Sequence, residues 1–99
     1  MFFRVEVYNA ESVELIDSKN SNLLSTNDTL SIEVAREIAV TLLKPHTPED
    51  ATIRTTGEQD GIFYIHIYQS DGSGPLTIFA RVEKRLGVRP RKRATFGTV

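Results

Sequence analysis

Side chains able to carry chemistry are few in this 99-residue sequence, and they are scattered. Its two histidines supply all the imidazole, and there is no cysteine, so thiolate metal sites, disulfides and cysteine nucleophiles are excluded together. His46 stands in a proline-rich loop and His66 in an apolar run; neither has two carboxylates at ligand spacing beside it. A packed or solvated histidine is the expectation for both, with no metal and no cofactor. Glu58, Asp60 and Asp71 sit in turn-forming stretches, where carboxylates close local hydrogen bonds without any acid–base role. Asp71-Gly72-Ser73-Gly74 lacks the glycine spacing and strand-to-helix setting of a phosphate loop or dinucleotide fingerprint.

Two patterns remain. The first is the row Tyr64, His66, Tyr68, three flat amphipathic rings at alternate positions, able to stack on nucleobases or anchor a protein partner. The Gly-Phe-containing strand motif of RNA-recognition folds is missing. A helix lying on this row would reduce it to packing. The second is the basic series Lys84, Arg85, Arg89, Arg91, Lys92 and Arg93, which suits phosphate backbones or an acidic protein surface. As a plain solubilising tail it would need neither.

The elements that must position these groups follow from periodicity. Gly61 to Gln69 alternates between an apolar row, Phe63, Ile65 and Ile67, and an amphipathic row, Ile62, Tyr64, His66 and Tyr68. That predicts a central strand with one face buried and the other half-buried. Thr52 to Thr56 predicts its hairpin partner across Gly57 to Gly61. Phe2 to Asn9 alternates in the same way, and a tight turn at Asn9-Ala10-Glu11 predicts a second strand through Val13 and Leu15. Asp17 to Asp28, rich in Ser and Asn, reads as a loop pinned by Leu23 and Leu24. Ser31 caps a predicted helix to Lys44, with Leu30 and Ala35 at staple positions and a stripe of Ile32, Ala35, Ile38, Ala39 and Leu42 buried chiefly through Ile38 and Leu42.

Pro75 to Leu86 supports two readings. As a strand it places Leu76, Ile78, Ala80 and Val82 on one face. As a helix it has Pro75 near N1, apolar Leu76, Phe79, Val82 and Leu86, cations in the last turn and Gly87 at C′ with Val88 closing a cap. The cap chemistry favours the helix. The fold class is therefore α+β: a small two-layer domain, mainly an antiparallel sheet of four to five strands packed on one or two helices, in the order hairpin, helix, hairpin, helix. Residues 1–88 form the domain and 89–99 a basic C-terminal tail.

Charge separates along the chain. Residues 1–75 hold twelve acids and five bases, whereas residues 76–99 hold one acid and seven bases, within a net charge of -1. Such a split bears on partners. The sequence has no signal-peptide pattern and no apolar run of membrane-spanning length, and the lack of cysteine fits a reducing compartment, so a cytoplasmic protein is expected. The expected function is a non-enzymatic interaction protein: a regulator, inhibitor or adaptor with a protein partner, a type that includes phage and mobile-element proteins that block a host machine. The acidic body disfavours the alternative, a nucleic-acid-binding protein using the basic series and the tyrosine face.

Overall fold

The computed structural model describes residues 1–88. Five strands form one antiparallel sheet: β1 (Phe2–Ala10), β2 (Ser21–Thr29), β3 (Thr52–Thr55), β4 (Ile62–Tyr68) and β5 (Pro75–Arg85), in the spatial order β2-β1-β5-β4-β3. One helix, α1 (Ile32–Leu43), covers one face. The architecture is the expected small α+β domain, with a single α-helix among the described residues.

Alternation in β1 and β4 sends Phe3, Val5, Val7, Phe63, Ile65 and Ile67 to the helix side, where Ala80 and Val82 of β5 join them. Burying each of the larger side chains contributes roughly 1.5–3 kcal/mol. Helix α1 begins where the cap chemistry requires: the Ser31 hydroxyl accepts a hydrogen bond from the Val34 N–H at 3.3 Å. Its fully buried residues are Ala35, Ala39 and Leu43, while Ile38 and Leu42 are half-buried. All five residues of the expected stripe face the core, with Ala35 and Ala39 pressed against the sheet beside Leu43, and Ile32, Ile38 and Leu42 packed at its half-buried margin. Leu30 is exposed and forms no staple.

The predicted β3–β4 hairpin is present, from Thr52↔Tyr68 to Thr55↔Ile65. Its turn is closed by Asp60 and Gly61, both at positive φ (56° and 79°), between reciprocal backbone hydrogen bonds of Gln59 and Ile62. That is the mirror-image two-residue turn whose twist matches paired strands, and Asp-Gly is a preferred sequence for it.

Three expectations are corrected. Pro75–Arg85 is a strand, and it occupies the centre of the sheet, so β4 lies one place toward the edge. As a strand this segment pairs along both sides, with β1 from Phe2↔Arg85 to Asn9↔Ile78 and with β4 from Ile62↔Glu83 to Tyr68↔Pro75. Two hydrogen-bonded ladders and burial on both faces outweigh a local cap worth about 1 kcal/mol. Gly87 does take positive φ (96°), but after a strand, and Val88 is exposed. Next, Val13–Leu15 forms a 3-10 turn, and β1 pairs instead with Ser21–Thr29, inside the stretch read as a loop. Finally, Leu23 and Leu24 are exposed and pin nothing. The element order is strand, strand, helix, strand, strand, strand.

Candidate binding face

The sheet surface opposite α1 carries no helix among the described residues. Register assigns its occupants: Arg4, Glu6 and Tyr8 from β1, Phe79, Arg81 and Glu83 from β5, Tyr64, His66 and Tyr68 from β4, and Arg54 from β3. The Tyr64/His66/Tyr68 row predicted from alternation therefore stands on this helix-free face, half-buried along its length.

Phe79 forms the floor of the row. It is fully buried, stacks on Tyr8 at 5.5 Å and on His66 at 5.7 Å, and meets Tyr64 at 6.1 Å. His66 stacks on Tyr64 at 6.1 Å and meets Tyr68 edge-on at 6.2 Å. The Arg54 guanidinium lies over the Tyr68 ring at 4.9 Å. At the opposite side of Phe79, Ile16 folds down onto Tyr8 and Ala10, so the stretch between β1 and β2 closes one end of the face. A shallow cleft of about 400 Å³ opens beside Tyr64, lined also by Thr56, Gly57 and Asp60.

Next to the rings runs a ladder of charge. Arg81 contacts Glu6 at 3.4 Å and Glu83 at 3.0 Å, Arg85 joins Glu83 at 3.2 Å, and Arg4 pairs with Asp28 through two hydrogen bonds at 2.8 and 3.2 Å. Burial works against the Arg81 charge, but the hydrogen bond to Glu83 and the neighbouring Tyr64 outweigh it, and its pKa is raised. The Arg81 Nε and His66 Nδ1 are both buried without a hydrogen-bond partner among the described residues.

Two groups on this face give stability a pH signature. Burial, then the adjoining Glu6, pushes the Tyr8 phenol from 10.0 up to about 12. A folded-state value above the unfolded one contributes stability that is complete below about pH 10 and lost as pH rises toward 12. Burial lowers the His66 imidazole from 6.5, so its contribution is present above that pH and is lost on acidification below it. In urea titrations across pH, Tyr8→Phe is expected to flatten the alkaline slope and His66→Gln the slope below neutrality. Unchanged slopes would show that neither group is held as described.

The structure separates the two predicted patterns. Lys84 and Arg85 lie at the far end of β5 from Tyr68 and alternate to opposite faces. Arg89, Arg91, Lys92 and Arg93 lie outside the described residues. His46 is exposed in a 3-10 turn after α1. The turn carboxylates are engaged locally: Glu58 accepts from the Gly61 N–H at 2.7 Å and Asp71 from the Ser73 N–H at 2.9 Å. Among the described residues no cluster of three His, Asp or Glu side chains is arranged to hold a metal, and no helix is long and apolar enough to cross a membrane. Sequence reading missed Phe79, Tyr8, Arg81 and Arg54 as members of the face. Arg54 was within reach, since the β3–β4 hairpin register sets it opposite His66. Comparison with protein families, curated proteins and solved structures found no match.

Proposed function

We propose that this chain is a non-enzymatic interaction protein, a small regulator, inhibitor or adaptor, that docks a protein partner on the helix-free sheet face around Tyr64, His66 and Tyr68. The observation that carries this reading is the position of the three rings in one row, Tyr64 and His66 resting on buried Phe79 and Tyr68 against His66, on a face that α1 leaves open. Rings fixed by strand packing lose little freedom on binding, which is why Tyr anchors dominate many interfaces. Arg54 at one end and Arg85 at the other add cations for an acidic rim on the partner, Lys84 lying on the helix side of β5, and the basic series that follows in sequence adds longer-range attraction. Residues 1–88 hold all thirteen acids and eight bases, a net of -5, which opposes a polyphosphate partner. A non-enzymatic role accords with turn carboxylates engaged in local hydrogen bonds.

A nucleic-acid reading has one specific observation in its favour: stacked rings flanked by Arg54 resemble a base-stacking platform. One experiment separates the two. Parent and a Tyr64→Ser/Tyr68→Ser variant are used in parallel to capture partners from host extract, and both are titrated with a generic oligonucleotide across a salt series. A protein retained by the parent and lost by the variant, at nearly equal melting temperatures, supports the proposal. Equal capture by both overturns it, and oligonucleotide affinity falling linearly with log salt transfers the face to the second reading.

A further inference from the structure

We infer that the outer edge of β2 is a self-association surface, occupied by the same edge of a second copy of this chain, with the twofold axis at Asn27. Strand edges that stay solitary are kept short, charged, proline-bearing or covered. The β3 edge follows that practice, with four residues that include Arg54. The β2 edge does not. It runs for nine residues, Ser-Asn-Leu-Leu-Ser-Thr-Asn-Asp-Thr, with no lysine and no proline, and no described strand lies beyond it. Its one charge, Asp28, is held inward on Arg4 at 2.8 Å.

Beside this edge the helix leaves an apolar groove of about 300 Å³, lined by Asn27 of β2 and by Val34, Ile38, Thr41 and Leu42 of α1. Val34, Ile38 and Leu42 recur at every fourth residue, so they form a continuous stripe along the edge. Ala35, Ala39 and Leu43 are the fully buried face of α1, whereas Ile38 and Leu42 pack on the core by one side and leave the other side half-exposed toward the groove. Glu37 also borders the groove and is exposed, free to extend into water.

The occupant is identified by self-complementarity. The bulge at Leu24 breaks the regular pairing with β1, leaving Ser25 to Thr29 as the regular part of the edge. Antiparallel pairing of that part with itself sets Asn27 opposite Asn27, where two amides can donate to and accept from one another. Thr26 then faces Asp28 and Ser25 faces Thr29. Leu24 falls opposite Leu30, and these leucines are 50% and 63% exposed in the single chain. Apolar meets apolar, polar meets polar, and no like charges stand directly opposed. A pairing from Leu24 to Leu30 is about 23 Å long and, with the helix layer included, about 20 Å high. Such a face buries several hundred Å² per partner, the lower end for specific association, so micromolar affinity is expected.

Sedimentation of the full chain at submillimolar concentration is expected to give twice the chain mass. Leu24→Lys/Leu30→Lys and Leu24→Glu/Leu30→Glu, both at exposed positions, are each expected to be monomeric, with the parent's melting temperature at dilutions where the parent too is monomeric, and an equimolar mixture is expected to regain the doubled mass. Because the chain has no cysteine, Asn27→Cys reports the axis directly: it should form an inter-chain disulfide on mild oxidation, whereas Ser25→Cys, off the axis, should not. A monomeric parent at submillimolar concentration overturns the inference, as does a dimer that ignores the lysine substitutions and leaves the Asn27→Cys chains unlinked.

Discussion

Phe79→Ala is expected to lower stability by about 3–5 kcal/mol and to abolish partner binding by the sheet face. The size of the effect follows from position. Phe79 is on the central strand, fully buried, yet on the side away from the helix. Its ring is the shared contact of Tyr8, Tyr64 and His66, at 5.5 to 6.1 Å. Truncation leaves a cavity under all three, and only Ile16 and the neighbouring short turns can settle into it. Denaturant midpoints and partner affinity are to be measured together with Phe79→Leu, which keeps most of the volume but loses the stacking. That variant should lose about 1–2 kcal/mol. If Phe79→Ala costs less than about 1 kcal/mol, the helix-free face has no packed floor, and the Tyr64/His66/Tyr68 row is not held in place.

Arg81→Ala is expected to cost about 3 kcal/mol, although Arg81 is a charged residue on a face without a helix. Its side chain is only 16% exposed and is the cation between Glu6 and Glu83. Removing it leaves the poorly solvated Glu6 carboxylate without its cation and Glu83, on the neighbouring strand, with only the more exposed Arg85. The triple replacement Glu6→Gln/Arg81→Met/Glu83→Gln removes the charges as a set and should return within about 1 kcal/mol of the parent, since a buried ionic group is costly to break but not to replace. Equal losses in the single and triple variants would mean that Arg81 contributes through packing of its aliphatic stem.

Much of this molecule is readable from short-range pattern. Alternation in Phe2–Asn9 and Gly61–Gln69 predicts β1 and β4, the Ser31 cap predicts the start of α1, and the turn residues of Gly57 to Gly61 predict the hairpin, because in each the side chains that specify the element lie within a few residues of one another. The same alternation selects Tyr64, His66 and Tyr68 as one row. Tertiary structure decides the rest. Ser21–Thr29 has polar residues on both faces, so nothing local marks it as a strand; it is one because β1 offers an unpaired ladder beside it. Pro75–Arg85 carries the terminal signals of a helix, yet two neighbouring strands with open hydrogen-bonding groups draw it into the centre of the sheet. That choice moves Phe79 from a supposed helix core to the opposite face, and it leaves the aromatic row uncovered instead of under a second helix. Local periodicity specifies which side chains share a face, but which face is covered depends on hydrogen-bond partners far away in the chain, such as β1 and β5, whose paired residues Asn9 and Ile78 meet only when the fold closes.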